Sequence, residues 1–457
     1  MIHDTRQRLS VAQALSAELP TGRFFAGEKF RVAPEPFTLS RAVALTLEPM
    51  GRHLLHFYRA ANLIYRRSVL GEAPAWVADY LDRGKPARLV ELSRRKKFNG
   101  DLPVVLRPDL IMTPDGLALT ELDSVPGGVG LTGFLNTLYA AQGYSVVGGP
   151  GGMTEGFGRA VSGRSRPGQP FFAVICVSEE AATYRPEMEW LVERLKAAWL
   201  EFELCTPADL EFPGDGVFFK GRRITVLYRF FELFDLPQIP QAGRIMEAME
   251  AREIEVTPPF KPQLEEKMWF ALFRHPALRA HWHRELGDRG MEFLETLIPP
   301  TVIMDPAPLP PQGVFPVAGV HEWSELASFS QKERDFIIKI SGFSEKAWGS
   351  RGVYYGRDLP TPEWSQVVRE ALDGFSTHPH LIQRFRHSAV IPTEYLEEKT
   401  GTLALMPGRV RLCPYFFVTG DNPELGGILA TVCPADKKIL HGMDDAILSP
   451  CRFEPSP

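Results

Sequence analysis

The chain has 457 residues, 44% hydrophobic and 23% charged, with 51 basic against 56 acidic side chains and a net charge of −5, which argues against a strongly cationic binder of nucleic acid or anionic membranes. Its longest apolar runs fall far short of the roughly 20 residues that cross a bilayer, and its start lacks a charged segment followed by an apolar one, so a cytoplasmic protein is expected. Five cysteines, odd in number and widely spaced with no CxxC pair, disfavour both a disulfide framework and a thiolate zinc site.

Forty prolines and 39 glycines are scattered, so they punctuate many short elements instead of marking disorder. Apolar residues at helical spacing (Met50, Leu54, Leu55, Phe57, Tyr58, Ala61, Ile64) predict a helix over residues 49–68. Pro49 suits its first position, where a missing N–H costs nothing. A second helix is expected over 74–81, ended by Gly84-Lys85-Pro86. The period then changes: residues 104–112 read as a buried strand, Thr113-Pro114-Asp115-Gly116 as a turn and 117–122 as a second strand. After a helix at 132–141 and an exposed boundary near 162–169, strand, helix, strand follow in order over 171–177, 186–200, 201–204 and 225–228. That rhythm argues for a parallel α/β unit. A proline-rich boundary at 305–319 precedes a strand at 336–340, a helix at 363–372 and antiparallel strand over 389–419. The expected class is α/β to α+β in three lobes, with bounds near 1–165, 166–305 and 306–457.

The hairpin carries the densest chemistry. Glu121 and Asp123 lie two apart and share a strand face. If the loop takes residues 113–117, Met112 pairs with Ala118 and Asp109 stands opposite Glu121; a register one residue shorter turns Asp109 to the other face. Three carboxylates on one face repel unless a cation sits between them, and hard oxygen ligands suit Mg²⁺ or Mn²⁺ shared with phosphates. The alternative is a solvated polar face with its acids paired to arginines. Arg107 lies on the same face as Asp109 and could neutralise an anion. The glycines of Ser124-Val125-Pro126-Gly127-Gly128-Val129-Gly130 form either a weak phosphate cradle or a plain turn. Lys339 sits inside an apolar strand, where an unpaired ammonium is costly, and leads to a glycine- and serine-rich stretch over 341–352; the plainer reading is a snorkelling edge lysine. Lys267, near the start of an apolar helix, is either a ligand group or a solvated helix lysine. Neither a zinc spacing nor a nucleophile elbow is present.

Together these residues resemble the circularly permuted ATP-grasp family of glutathionylspermidine synthase-like proteins. Arg107-Pro-Asp109, the turn and Glu121-Leu-Asp123-Ser124 resemble that family's metal hairpin, which precedes its nucleotide lysines as it does here. The stretch from Val226-Leu-Tyr-Arg229-Phe-Phe-Glu232 through Thr257-Pro258-Pro259 to Glu266-Lys267 is similar to the segment entering the first lysine. Residues 336–353 with Lys339 resemble the second lysine strand and its phosphate loop. Leu381-Ile382-Gln383 resembles the strand entering the adenine hinge. The resemblance implies an ATP-grasp fold with a helical N-terminal region. It further implies an ATP-dependent ligase that joins a small-molecule or peptide carboxylate to an amine through an acyl phosphate. Asp109, Glu121 and Asp123 would hold Mg²⁺ or Mn²⁺; Lys267, Lys339, Gly342, Gly349 and Gln383 would bind ATP; Arg107 would be catalytic. A nucleotide-binding sensor or scaffold of the same fold is the alternative. Two departures stand out: Asp123 replaces the usual Asn, and Thr431 replaces an expected Arg after Gly426-Gly427, with Arg409 or Arg411 as possible stand-ins. There is no amidase signature such as an N-terminal catalytic cysteine.

Overall fold

The computed structural model describes residues 5–19, 30–123, 125–309, 313–315, 317–347 and 351–455. The first long helix runs Arg41–Val69, opened by Ser40, whose hydroxyl accepts from the Val43 amide at 3.4 Å. Pro49 therefore lies inside the helix and does not open it. The helix begins earlier than expected because Val43 and Leu47, both buried, extend the apolar stripe towards Ser40. The second helix, Trp76–Asp82, falls where it is expected.

An eight-stranded sheet holds both ends of the chain together. The hairpin strands Val105–Thr113 and Gly116–Asp123 pair with each other, and Val105–Thr113 pairs antiparallel with Thr402–Thr419. That strand in turn pairs with Val390–Glu397 and Asn422–Pro434. The hairpin and the last part of the chain thus form one layer. One face of this layer (Leu106, Leu110, Leu412, Phe416) packs into the core shared with the long helix. The other (Val105, Cys413, Tyr415, Phe417) packs with residues of the helices Val129–Ala141 and Gly152–Ser162.

The parallel unit is present: Glu255–Thr257, Val226–Phe230, Ala173–Val177 and Phe202–Cys205 pair in that order, all parallel. The two central strands are buried throughout, as continuous apolar runs require. A third, antiparallel sheet is ordered Thr301–Ile303, His380–Arg384, Phe336–Ile340, Val353–Tyr355. Among the described residues no helix is long and apolar enough to cross a membrane.

Candidate active site

The hairpin reaches the expected alignment by an unexpected route. Met112 pairs with Leu117 and Thr113 with Gly116, a register one residue shorter than a 113–117 loop would give. A bulge between Asp109 and Leu110 leaves Thr120 as the extra residue and returns Asp109 to Glu121. Thr120 is held from two sides: its hydroxyl donates to the Asp109 carbonyl at 3.1 Å, and its own carbonyl accepts from Lys339 Nζ at 2.8 Å.

Arg107 links the first and last acids of the hairpin. Its Nε lies 3.1 Å from Asp109 Oδ1 and its Nη2 2.6 Å from Asp123 Oδ2, while Nη1 donates to the Gly127 carbonyl at 3.1 Å. Asp109 also accepts from Arg411 Nη1 at 3.1 Å and from Cys413 Sγ at 3.4 Å. Burial alone would raise the Asp109 pKa, but Arg107 and Arg411 outweigh it and hold the carboxyl below its ordinary value. Arg411 stands directly across the sheet from Thr431. Of the two possible stand-ins it is the one that comes to the site; Arg409 donates instead to Ala435 and Ser388.

Lys267 and Lys339 approach the second hairpin strand from different elements. Lys267 precedes the apolar helix Met268–Arg274 and places Nζ 2.7 Å from Glu121 Oε1, with a further bond to the Ala347 carbonyl. Burial would lower its pKa, but the Glu121 carboxylate reverses this and raises it. Lys339, 5% exposed, donates to Gln383 Oε1 at 3.0 Å as well as to Thr120, and burial lowers its pKa to about 8. Gln383 is turned inward, donating to Thr301 Oγ1 at 2.7 Å. Gly342 lines the site and has no room for a side chain, because a Cβ would stand 2.7 Å from the Glu265 carbonyl. Gly349 lies outside the described residues.

Glu121, Asp123, Glu232, Glu265 and Lys267 converge on a cavity of about 60 Å³. A neighbouring cavity of about 180 Å³ shares Asp123 and Glu232 with it. Burial first, then the facing Glu265 and Asp123, raises the Glu232 pKa well above the usual carboxylate range. Burial also raises Asp123, against Arg107 and with Glu121, and raises Glu265 against its ion-pair partner Arg229. Negative charge is thus in excess here. The chemistry of these oxygens suits a hard cation, yet among the described residues no group of three or more His, Cys, Asp or Glu side chains is arranged to hold a metal. Asp109 in particular directs both oxygens to its arginines and Cys413.

The glycine-rich stretch at 127–130 is engaged by a carboxylate of the protein itself. The Gly128 amide at 2.7 Å and, just beyond the stretch, the Leu131 amide at 2.9 Å donate to the carboxylate of Glu187, which fills the start of helix Val129–Ala141. Several site residues were given no role from the sequence, Glu265 and Lys85 among them, and Arg229, Glu232 and Glu266 entered only as part of a longer resembling stretch. Arg229 offered a signal, since an arginine inside the apolar run Val226–Phe230 demands a buried acid, here Glu265.

No family model and no curated protein matches the chain. Its structure is similar to that of a glutathione synthetase-like effector from Globodera pallida in the apo form, with a TM-score of 0.57 over 98% of this chain and 97% of that one at 11% identity. A weaker overlap, TM-score 0.40 and 12% identity over 81% and 85% of the two chains, is with a Methylobacillus flagellatus KT protein provisionally described as a gamma-glutamylcysteine synthetase, and it supports no argument. The first likeness shows that this mixed α/β fold is shared with that effector.

Proposed function

We propose that the chain is an ADP-forming, ATP-dependent ligase that activates a small-molecule or peptide carboxylate as an acyl phosphate and joins it to an amine. The observation that carries this reading is the convergence of Arg107, Lys267 and Lys339, from three separate elements, on the acidic hairpin strand of a fold like that of the glutathione synthetase-like effector. ATP, when bound, supplies the phosphoryl group that activates the carboxylate. Lys267 and Lys339 hold its phosphates as compact point charges. Glu121 and Asp123 would hold a magnesium or manganese ion, with Glu232 and Glu265 the nearest further oxygens; such an ion offsets charge on the transferring group. Asp109 instead holds Arg107 and Arg411 in place. Arg107 then stabilises the negative charge that develops on the acyl phosphate and its tetrahedral adduct.

The alternative, a nucleotide-binding sensor or scaffold without turnover, is favoured by one observation. Arg107, Lys267 and Lys339 already have protein acceptors, and of the three only Lys267 lines the cavity of about 60 Å³. Purified protein with Mg·ATP and a panel of amino acids, peptides and polyamines separates the two. Acceptor-dependent ADP release supports the ligase; calorimetric binding of Mg·ATP without release supports the sensor; neither binding nor release refutes both.

A further inference from the structure

The N-terminal helical region reaches Glu266, the residue before Lys267, from the turn between helices Trp76–Asp82 and Ala87–Ser93. Gly84 in that turn has φ +69 and lies so close to the Thr377 carbonyl that a Cβ would stand 2.1 Å from it. The next residue, Lys85, makes an ion pair with Glu266, and the two side chains are only 2% and 3% exposed. The other oxygen of Glu266 accepts from the Ser341 hydroxyl, which itself accepts from the Met268 amide at 2.9 Å. The Ser341 carbonyl accepts from the Lys267 amide at 3.0 Å. Ser341 is 1% exposed and directly precedes Gly342 and Phe343, which line the cavity. The following residues are held tightly too. A Cβ on Gly342 would stand 3.0 Å from Glu266 Oε2, and Phe343, at φ +43, places its ring 5.5 Å from Lys85 Nζ. A non-glycine residue keeps such a backbone only where its surroundings fix it.

We infer that Lys85 and Glu266 are positioning residues for the phosphate-binding apparatus: through Ser341 they fix both the backbone that carries Lys267 and the start of the loop at 341–347. The inference rests on the ligase or nucleotide-binding reading above for its purpose, but not for its geometry. A buried ion pair is a poor way to gain stability, because a well-packed apolar pair of similar volume is commonly as stable or more so. What this pair supplies is an acceptor aimed at Ser341. Neither residue lines the 60 Å³ cavity, whose acids are Glu121, Asp123, Glu232 and Glu265.

The test uses the double variant Lys85→Met/Glu266→Met, which leaves no uncompensated charge, and Ser341→Ala, which leaves the ion pair intact. Hydrogen exchange at the Lys267 and Met268 amides and across 341–347 reads the anchoring directly, and thermal melting reads the fold. The double variant should melt near wild type and Ser341→Ala, which leaves the buried Met268 amide without its acceptor, somewhat below it, yet both should exchange there about tenfold faster or more. Their dissociation constants for Mg·ATP should rise by about tenfold or more, since small misplacements of a binding group are costly. Unchanged exchange overturns the inference, as does an affinity that merely follows the melting temperature. Should wild type bind no Mg·ATP, the functional reading falls and the exchange comparison alone decides the anchoring.

Discussion

Lys339→Met gives the sharpest physical prediction. Burial lowers the Lys339 ammonium from an ordinary 10.5 to about 8. Below pH 8 the lysine is charged in both folded and unfolded chains, and the burial penalty of about 3 kcal/mol is fully present. Between pH 8 and 10.5 the unfolded chain binds the extra proton, so this group makes stability rise with pH. Above 10.5 both forms are neutral and the penalty is gone. The bonds to Thr120 and Gln383, about 1.5–3 kcal/mol each for a charged donor, offset much of it. The net effect of Lys339→Met at pH 7 should therefore be small, while its pH dependence should be large. Urea unfolding at pH 7 and pH 9.5 should give a wild-type-minus-variant difference that grows by about 2 kcal/mol in favour of wild type. A phosphate beside Nζ would restore the proton, so Mg·ATP binding at pH 9 should take up close to one proton in wild type and none in the variant. Calorimetry in two buffers of different ionisation enthalpy measures this. A stability difference that is flat with pH, or equal proton uptake by both proteins, would refute the reasoning.

Asp109→Asn removes the carboxylate shared by Arg107 and Arg411 and should cost about 3 kcal/mol in urea unfolding, because it leaves buried guanidinium charge uncompensated. Gly342→Ala puts a Cβ against the Glu265 carbonyl and should cost about 1–3 kcal/mol while weakening Mg·ATP binding. Glu187→Ala frees two buried amides and should cost about 1–3 kcal/mol with no change in nucleotide affinity, since the 127–130 stretch is structural.

The elements with local causes were legible in the sequence. The hairpin, the parallel unit and the strand Phe336–Ile340 follow from period-two or continuous apolar runs bounded by turn residues. What joins them was not. Strand Val105–Thr113 pairs with a partner some three hundred residues away, and nothing in the alternation of either strand names the other. The Thr120 bulge was invisible for a related reason: it is fixed by contacts from Asp109 and Lys339 and not by its neighbours in sequence. In the site, Arg107, Asp109, Glu121, Asp123, Lys267 and Lys339 were read from the sequence as one group; the structure pairs Arg107 with Asp109 and Asp123, pairs Lys267 with Glu121, and sets Lys339 on the Thr120 carbonyl and Gln383. The partition among them was not legible, because burial decides it. Asp109 at 5% exposure is committed to arginines, whereas the acids left facing the cavity are Glu121, Asp123, Glu232 and Glu265.

The central claim is that a phosphoryl group passes from ATP to a substrate carboxylate. The most direct measurement places heavy oxygen in the carboxylate of an active substrate and follows it into products. The account predicts ADP as the nucleotide product and one heavy oxygen in each released phosphate, because the activated oxygen leaves with the phosphoryl group. AMP with pyrophosphate, or heavy oxygen retained wholly in the amide product and unreacted acid, would contradict it.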